Sequence, residues 1–369
     1  MRNRNGIPLL SVVVPAYQGA EMLPHSLGAL CASDLPRTVW ELIVVDDASP
    51  DTTAQVAVDY ADRVVRITDG PRGPAYARNR GAEFARGEYL VFADADVSVH
   101  TDTLRLFLDT FRADPEIAAV FGAYDTKPPV PGLVSRYRNL LHHYVHLQGA
   151  GEAETFWAGC GAIRRDVFHQ VGGFNQERYS QPQIEDIELG YRVRELGGRI
   201  VLRPEIQGTH LKRWTLWGGI ITDVRDRGVP WIRLLLEHGD RRRKATLNLQ
   251  PKEKIYTAFT GAATGAAVVS LLLRDVRWLV GAALLVPVLI GNLPLFRWLS
   301  RQQGRRFAIG TVPLRLLYYL LSGIAAAFGW LEYLRARGKK IALDDSAVPN
   351  RLTPHHQVSR IDKSMTESG

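Results

Sequence analysis

Apolar residues follow two different patterns along this chain. Over the first two thirds they come in short runs of strand length, separated by amphipathic stretches of helix length. The Val-rich run 10–14 and the run 40–45, which stops at Asp46-Asp47, read as buried strands. So do the segment 64–67 and the run 89–93, which ends at Asp94. Segments 21–30, 52–61 and 76–85 lie between them and read as helices. Alternation at this spacing predicts an α/β fold built on a mostly parallel sheet.

Further along the runs lengthen. Residues 256–273 and 278–296 contain no charged side chain, although the second holds Pro287 and Pro294. Residues 316–331 are also uncharged and extend back to Pro313 across Arg315. A membrane-spanning helix needs about 17–25 apolar residues, so the first two fit and the third is short. Arg315 is expected to snorkel, with Tyr318, Tyr319, Trp330 and Tyr333 near an interface. Gly261, Ala262, Gly265 and Ala266 would allow close packing of the first helix. The chain therefore divides into an α/β domain over 1–214 and amphipathic or interfacial helices with a basic linker over 215–254. A membrane region of two or three helices over 255–338 and a polar, disordered tail over 339–369 complete it.

Charge sharpens this division. The chain has 369 residues and a formal net charge of +8. Residues 240–340 hold 17 Lys+Arg against 4 Asp+Glu, while the remainder holds 29 against 34. A net-acidic N-terminal part argues against nucleic acid as partner. The basic residues flank the apolar runs, as the positive-inside rule expects. Arg241, Arg242, Arg243, Lys244, Lys252 and Lys254 precede the first. Arg297, Arg301, Arg305 and Arg306 follow the second, and Arg335, Arg337, Lys339 and Lys340 the third. Three full spans would put the last cluster opposite the first two, so the third run is re-entrant or interfacial, or the rule is broken here. Residues 1–8 are polar and the run 9–14 is brief, unlike a secretory signal. The expectation is a multi-pass protein of the cell (inner or plasma) membrane with a cytoplasmic catalytic domain. Cys31 and Cys160 stand far apart, which excludes a disulfide scaffold and points to a reducing compartment. His355 and His356 in the tail are weak evidence for a metal.

Three predicted strands end in polar groups: Pro15-Ala16-Tyr17, Asp46-Asp47 and Asp94-Ala95-Asp96. In doubly wound sheets ligands bind beyond the C-terminal strand ends. Two carboxylates on one turn suit a hard divalent cation shared with substrate phosphates.

These groups belong to a longer series: Ser11 to Tyr17 (SVVVPAY), Val44 to Ser49 (VVDDAS), Gly73 to Gly81 (GPAYARNRG) and Phe92 to Asp96 (FADAD). Trp157 to Arg164 (WAGCGAIR), Gly172-Gly173-Phe174 and Glu185 to Arg192 (EDIELGYR) follow. In this order the series resembles the family 2 glycosyltransferases, over about residues 10–214. The resemblance implies a GT-A-type nucleotide-sugar fold, a nucleotide-sugar donor and Mg²⁺ or Mn²⁺. It assigns Asp186, with Glu185, as the catalytic base. It assigns Pro15, Ala16, Tyr17, Glu21, Asp46, Asp47, Arg78, Asn79, Asp94 and Ala95 to the donor, and Asp94 and Asp96 to the metal. His210 is a further candidate ligand, Lys212 and Arg213 candidate diphosphate contacts, and Trp157, Gly159, Cys160 and Trp214 acceptor-side positions. Segment 208–214 lacks the Gln of the processive members' Gln-x-x-Arg-Trp motif. Segment 137–148, with His142, His143 and His146, reads as an acceptor-side helix. The expected activity is inverting transfer to a lipid, polyprenyl phosphate or lipid-linked glycan at the membrane. A GT-A-like scaffold without chemistry and a processive polysaccharide synthase component are the alternatives.

Overall fold

A computed structural model describes residues 6–238 and 250–346, with side chains to residue 337. Arg241 to Lys244, His355, His356 and most of the polar tail lie outside the described residues. The expected N-terminal alternation is present: β1 (Leu10–Ala16), α1 (Leu23–Cys31), β2 (Trp40–Asp46), α2 (Thr53–Val58), β3 (Arg63–Arg66), α3 (Pro74–Phe84) and β4 (Tyr89–Ala93). After it come β5 (Val97–Val99), α4 (Thr103–Ala113), β6 (Ile117–Tyr124), α5 (Leu133–Gln148), β7 (Gly151–Ala153), β8 (Cys160–Arg164) and α6 (Arg165–Gln170). The domain closes with α7 (Glu185–Glu195) and β9 (Arg199–His210).

The strands form one mixed sheet in the order β3-β2-β1-β4-β8-β6-β9-β5, with β7 paired to β9. β1 to β4 are mutually parallel, as their buried runs imply. β8 enters antiparallel between β4 and β6, and β5 and β7 pair antiparallel with β9. Both sheet faces are covered. Val12, Val14, Leu42, Val44 and Val91 enter one core cluster, while Val13, Ile43, Val45, Leu90 and Phe92 enter the other. A period of two with both faces buried is why these strands read as continuous apolar runs.

After β9 come α8 (Leu216–Ile221), a π-helical segment (Thr222–Gly228) and α9 (Val229–His238). Leu234 of α9 is wholly buried against the second core cluster, and Trp231 Nε1 donates to Tyr191 Oη at 3.1 Å. The apolar region comprises α10 (Pro251–Leu273), a 3₁₀ segment (Val276–Leu284), α11 (Leu285–Gly291), α12 (Leu293–Gln303) and α13 (Arg305–Ser346). By length and composition, Pro251–Leu273 (mean hydropathy 1.5) and Arg305–Arg337 (mean hydropathy 1.4) are long and apolar enough to cross a membrane.

The backbone break falls in the second run. Its helices bend by 57° at Asn292, with Gly291 just before it and Pro294 two residues after. The third run is the longer helix because Arg315 does not snorkel. It is buried, donating from Nη2 to Glu253 and from Nε to Asn292 Oδ1, both at 2.8 Å. Neutralising a charge inside the bundle lets the helix continue through it. Nor do all the small residues of α10 mediate packing: added Cβ atoms at Gly261 and Gly265 would meet nothing within 4 Å, whereas one at Gly281 would press on Ala266 at 2.4 Å. α13 continues past residue 339, where the tail was expected to begin, to Ser346. Tyr137 and Leu140 of α5 pack with Leu295 and Leu299 of α12 and Ala308 of α13, so the bundle rests directly on the α/β domain.

Candidate active site

The strand-end motifs converge where β1, β2 and β4 finish side by side. Two non-glycine residues there hold left-handed backbone, Gln18 (φ 51°) and Ala48 (φ 58°). The loops are tied together, Gln18 N donating to Ser49 Oγ at 3.0 Å. Such strain persists only where surroundings enforce it, and it concentrates at functional sites. Tyr17 is half exposed and Glu21 exposed, leaving this edge open to a ligand.

Asp46 and Asp47 are both buried. Asp46 Oδ1 accepts Ser49 N at 3.0 Å, and its other oxygen lies 3.4 Å from Arg66 Nε. Asp47 accepts Arg72 N at 2.8 Å and Gly73 N at 2.7 Å. Asp47 thus clamps the loop leading into α3. Gly73 is required at that point: its φ is +87°, and a Cβ would meet Ser180 O at 2.4 Å.

Arg78 projects from α3 into the centre of the domain and is 4% exposed. Its Nη2 donates to Asp94 Oδ1 at 2.6 Å and its Nη1 to Glu185 Oε1 at 2.9 Å. One guanidinium therefore joins the end of β4 to the start of α7, motifs far apart in the chain. Burial alone would lower its pKa, but Asp94, Glu185 and Asp186 outweigh that and raise it, so the cation is permanent. Its neighbour Asn79 points elsewhere. Asn79 donates to Phe174 O (2.9 Å) and Gln176 Oε1 (3.0 Å) and accepts Phe174 N (2.9 Å), pinning the Gly172-Gly173-Phe174 turn.

Asp186 sits one residue into α7. Its Oδ2 accepts Ala158 N at 3.1 Å, from the turn before β8. Glu185 faces Arg78 and also accepts Gln183 N at 2.9 Å. Burial, and then the charge of Glu185, push the Asp186 carboxyl up to about 6, against the opposing pull of Arg78 and of Arg227 on the π-helical segment. The base role expected of Asp186 requires a deprotonated carboxyl, and that expectation predicts that kcat/KM rises with pH through about 6 and levels off above it. A profile flat from pH 5 to 8 would contradict the assignment. Stability has the opposite sign. The fold holds this proton more tightly than the unfolded chain does. The contribution is therefore full below the ordinary value of 3.8 and lost as pH rises through about 6.

Asp96 does not share a cluster with Asp94. Asp94 is held by Arg78, whereas Asp96 Oδ2 faces His210 Nε2 at 3.5 Å. Among the described residues no three His, Cys, Asp or Glu side chains come together as a metal cluster. The pairing of Asp96 with His210 nevertheless suits a cation that takes its other ligands from a substrate diphosphate. The His210 ring is fixed by stacking on Tyr124, with centroids 4.3 Å apart and planes 8° apart. Lys212 and Arg213 are exposed, and Lys212 Nζ lies 4.7 Å from the Trp214 ring centroid. Arg138 also lies at that ring, at 4.2 Å, and is paired with Asp223.

The expected acceptor side is an aromatic wall. Trp157 packs against Tyr124 (4.9 Å), His142 (4.7 Å) and His146 (5.4 Å). Cys160 is buried, and a Cβ on Gly159 would collide with the Trp157 indole at 2.6 Å. His143 and His146 face the carbonyls of Tyr124 and Gly122 through Nδ1 at 2.6 and 2.9 Å, so α5 is hydrogen-bonded to β6.

Residues 11–172, which contain the loops, Arg78 and the Asp94–Asp96 turn, match the family model of glycosyl transferase family 2. The chain carries a family 2 glycosyltransferase domain. Validoxylamine A glucosyltransferase of Streptomyces hygroscopicus subsp. jinggangensis (strain 5008) is 29% identical over 234 residues, 55% of each chain. Glucosyl-dolichyl phosphate glucuronosyltransferase of Haloferax volcanii is 25% identical over 188 residues, 46% of this chain and 58% of that protein. This chain thus spans little more than half the length of these relatives. Among solved structures, a mannosyltransferase from Pyrobaculum calidifontis in complex with GDP-Man and Mn²⁺ superposes with a TM-score of 0.51 at 20% identity, covering 89% of both chains. That likeness concerns the fold, which is of the GT-A type.

Within the family 2 domain and its flank, sequence reading missed Tyr124, Asn139, Arg138 and Arg227. Asn139 carried one signal: a polar residue on the buried face of an amphipathic helix.

Proposed function

We propose that this protein is an inverting glycosyltransferase. It moves a sugar from a UDP- or GDP-type donor to a hydroxyl or phosphate on a membrane-associated acceptor. The observation that carries the reading is the Arg78 bridge. By pairing with Asp94 and Glu185 it leaves Asp186 as the carboxylate beside them with a raised pKa. In this reading Asp186 takes the acceptor proton as that oxygen attacks the anomeric carbon, and the nucleoside diphosphate departs towards the Asp96 side. Arg78 separates the carboxylates in role: Asp94 and Glu185 are paired to the arginine, and Asp186 is not.

Mg²⁺ or Mn²⁺, held by Asp96 and His210, would neutralise the leaving diphosphate. The relatives' names support glycosyl transfer, and the mannosyltransferase structure supports a nucleotide-sugar donor and a divalent metal through its GDP-Man and Mn²⁺. The name of the Haloferax relative, with its glucosyl-dolichyl phosphate, supports a lipid-linked acceptor. The two apolar helices, of which α13 packs on the domain through Ala308, support a site that works at a membrane surface. Asp47, with its oxygens on the α3 loop, and Pro15, Ala16 and Tyr17 would line the base pocket. Trp157 and Trp214 would border the acceptor. The test is release of nucleoside diphosphate from a panel of UDP- and GDP-sugars, with and without Mn²⁺ or Mg²⁺.

A further inference from the structure

The side chain that decides how His210 presents itself is Asn139. His210 is 4% exposed and Asn139 2% exposed. Asn139 Oδ1 stands 2.7 Å from His210 Nδ1. A neutral imidazole has one proton, and an amide oxygen only accepts, so the proton belongs on Nδ1. Nε2 is then a bare lone pair, and what it faces is the carboxylate oxygen of Asp96 at 3.5 Å. Two acceptors facing each other repel unless a cation, or a proton on Nε2, lies between them, and nitrogen coupling to a bound cation tells the two apart. The separation exceeds the ~2.7–2.9 Å of a charge-assisted hydrogen bond. It is compatible with two ligands each about 2.1 Å from one small cation. The ring cannot turn away, because Tyr124 stacks on its face at 4.3 Å.

We propose that Asn139 is a positioning residue for divalent-cation binding, fixing the His210 tautomer so that Nε2 and Asp96 form one half of the site. This rests on the glycosyltransferase reading for the cation's purpose, but not for its geometry. The arrangement carries a cost that argues for a purpose: Asn139 Nδ2 is buried with no hydrogen-bond partner among the described residues. A buried amide donor left unpaired costs roughly 1–3 kcal/mol. The opposite amide orientation would donate to Nδ1, move the proton to Nε2 and make His210 a donor to Asp96. That arrangement binds no cation through His210, so the two are separable by experiment. α5 also carries Tyr137, packed beneath α12 and α13, two residues before Asn139. The helix that orients the ligand is therefore the one on which the apolar bundle rests.

The experiment uses the full chain with Mn²⁺ as the probe. Mn²⁺ affinity is measured by EPR in the presence of UDP or GDP, and nitrogen coupling to the ion by electron spin-echo modulation. The wild-type protein should show nitrogen coupling from imidazole. His210→Ala should abolish the coupling. Asn139→Ala should weaken Mn²⁺ about 10–100-fold, as loss of such outer partners does. Asn139→Asp, which still accepts the Nδ1 proton, should retain affinity within about threefold. Unchanged affinity in Asn139→Ala, with His210→Ala weakened, would overturn the role of Asn139. Absence of nitrogen coupling in the wild-type protein would overturn it without any variant. Nucleoside diphosphate release that persisted in that case would leave the transferase reading standing.

Discussion

Replacing Asp186 by Asn is expected to lower turnover by about 10²–10⁴-fold, the usual weight of one positioned proton acceptor. The change is nearly isosteric, and the Asn side-chain oxygen can still accept the hydrogen bond from Ala158 N that holds this position at 3.1 Å. Donor binding should therefore survive, because the strand-end loops and Asp96 are untouched. Calorimetry with the nucleoside diphosphate checks that half, and release of the same nucleotide from the sugar donor checks the other. A variant that binds and turns over like the wild type would remove Asp186 from the chemistry. The acidic limb of the pH profile should disappear together with the activity, since the group titrating near 6 is gone.

The second large effect belongs to Arg78. Replacing it by Met removes one cation from among three carboxylates and leaves Asp94 and Glu185 without their ion pair. Breaking a buried pair by deleting one partner costs about 3–5 kcal/mol. The domain should melt at a markedly lower temperature, and any folded fraction should have lost activity. Arg78→Lys is the more informative variant. It keeps the charge but loses the planar fork that reaches Asp94 and Glu185 at once. Its pull on Asp186 weakens, so the acidic limb should move upward from pH about 6 while some activity remains. An unmoved limb would show that Arg78 does not control the base.

Much of the domain could be read from pattern because its strands are buried on both faces and end in polar turns. The runs at 10–14, 40–45 and 89–93 lie within a few residues of β1, β2 and β4. The antiparallel insertion of β8 was not legible, since a run of small and apolar residues does not declare its direction. Side-chain direction on helices was the other blind spot. Arg78 and Asn79 are neighbours in one motif, yet successive helical residues point about 100° apart. One therefore enters the carboxylate cluster and the other pins the Phe174 turn. Likewise Arg315 reads as a snorkelling end residue until Glu253 and Asn292, remote in sequence, are seen to receive it. The His210–Asn139 pair spans 71 residues with no spacing signal to join them.

The most direct test of the central claim is nucleoside diphosphate release by the wild-type chain from a panel of UDP- and GDP-sugars at pH 7.5 with Mn²⁺. The account predicts release from at least one donor that falls about 10²–10⁴-fold in Asp186→Asn at equal protein and equal donor occupancy. Donor binding without release from any sugar in the panel, across lipid-phosphate and glycan acceptors, would contradict it and favour a GT-A scaffold without chemistry.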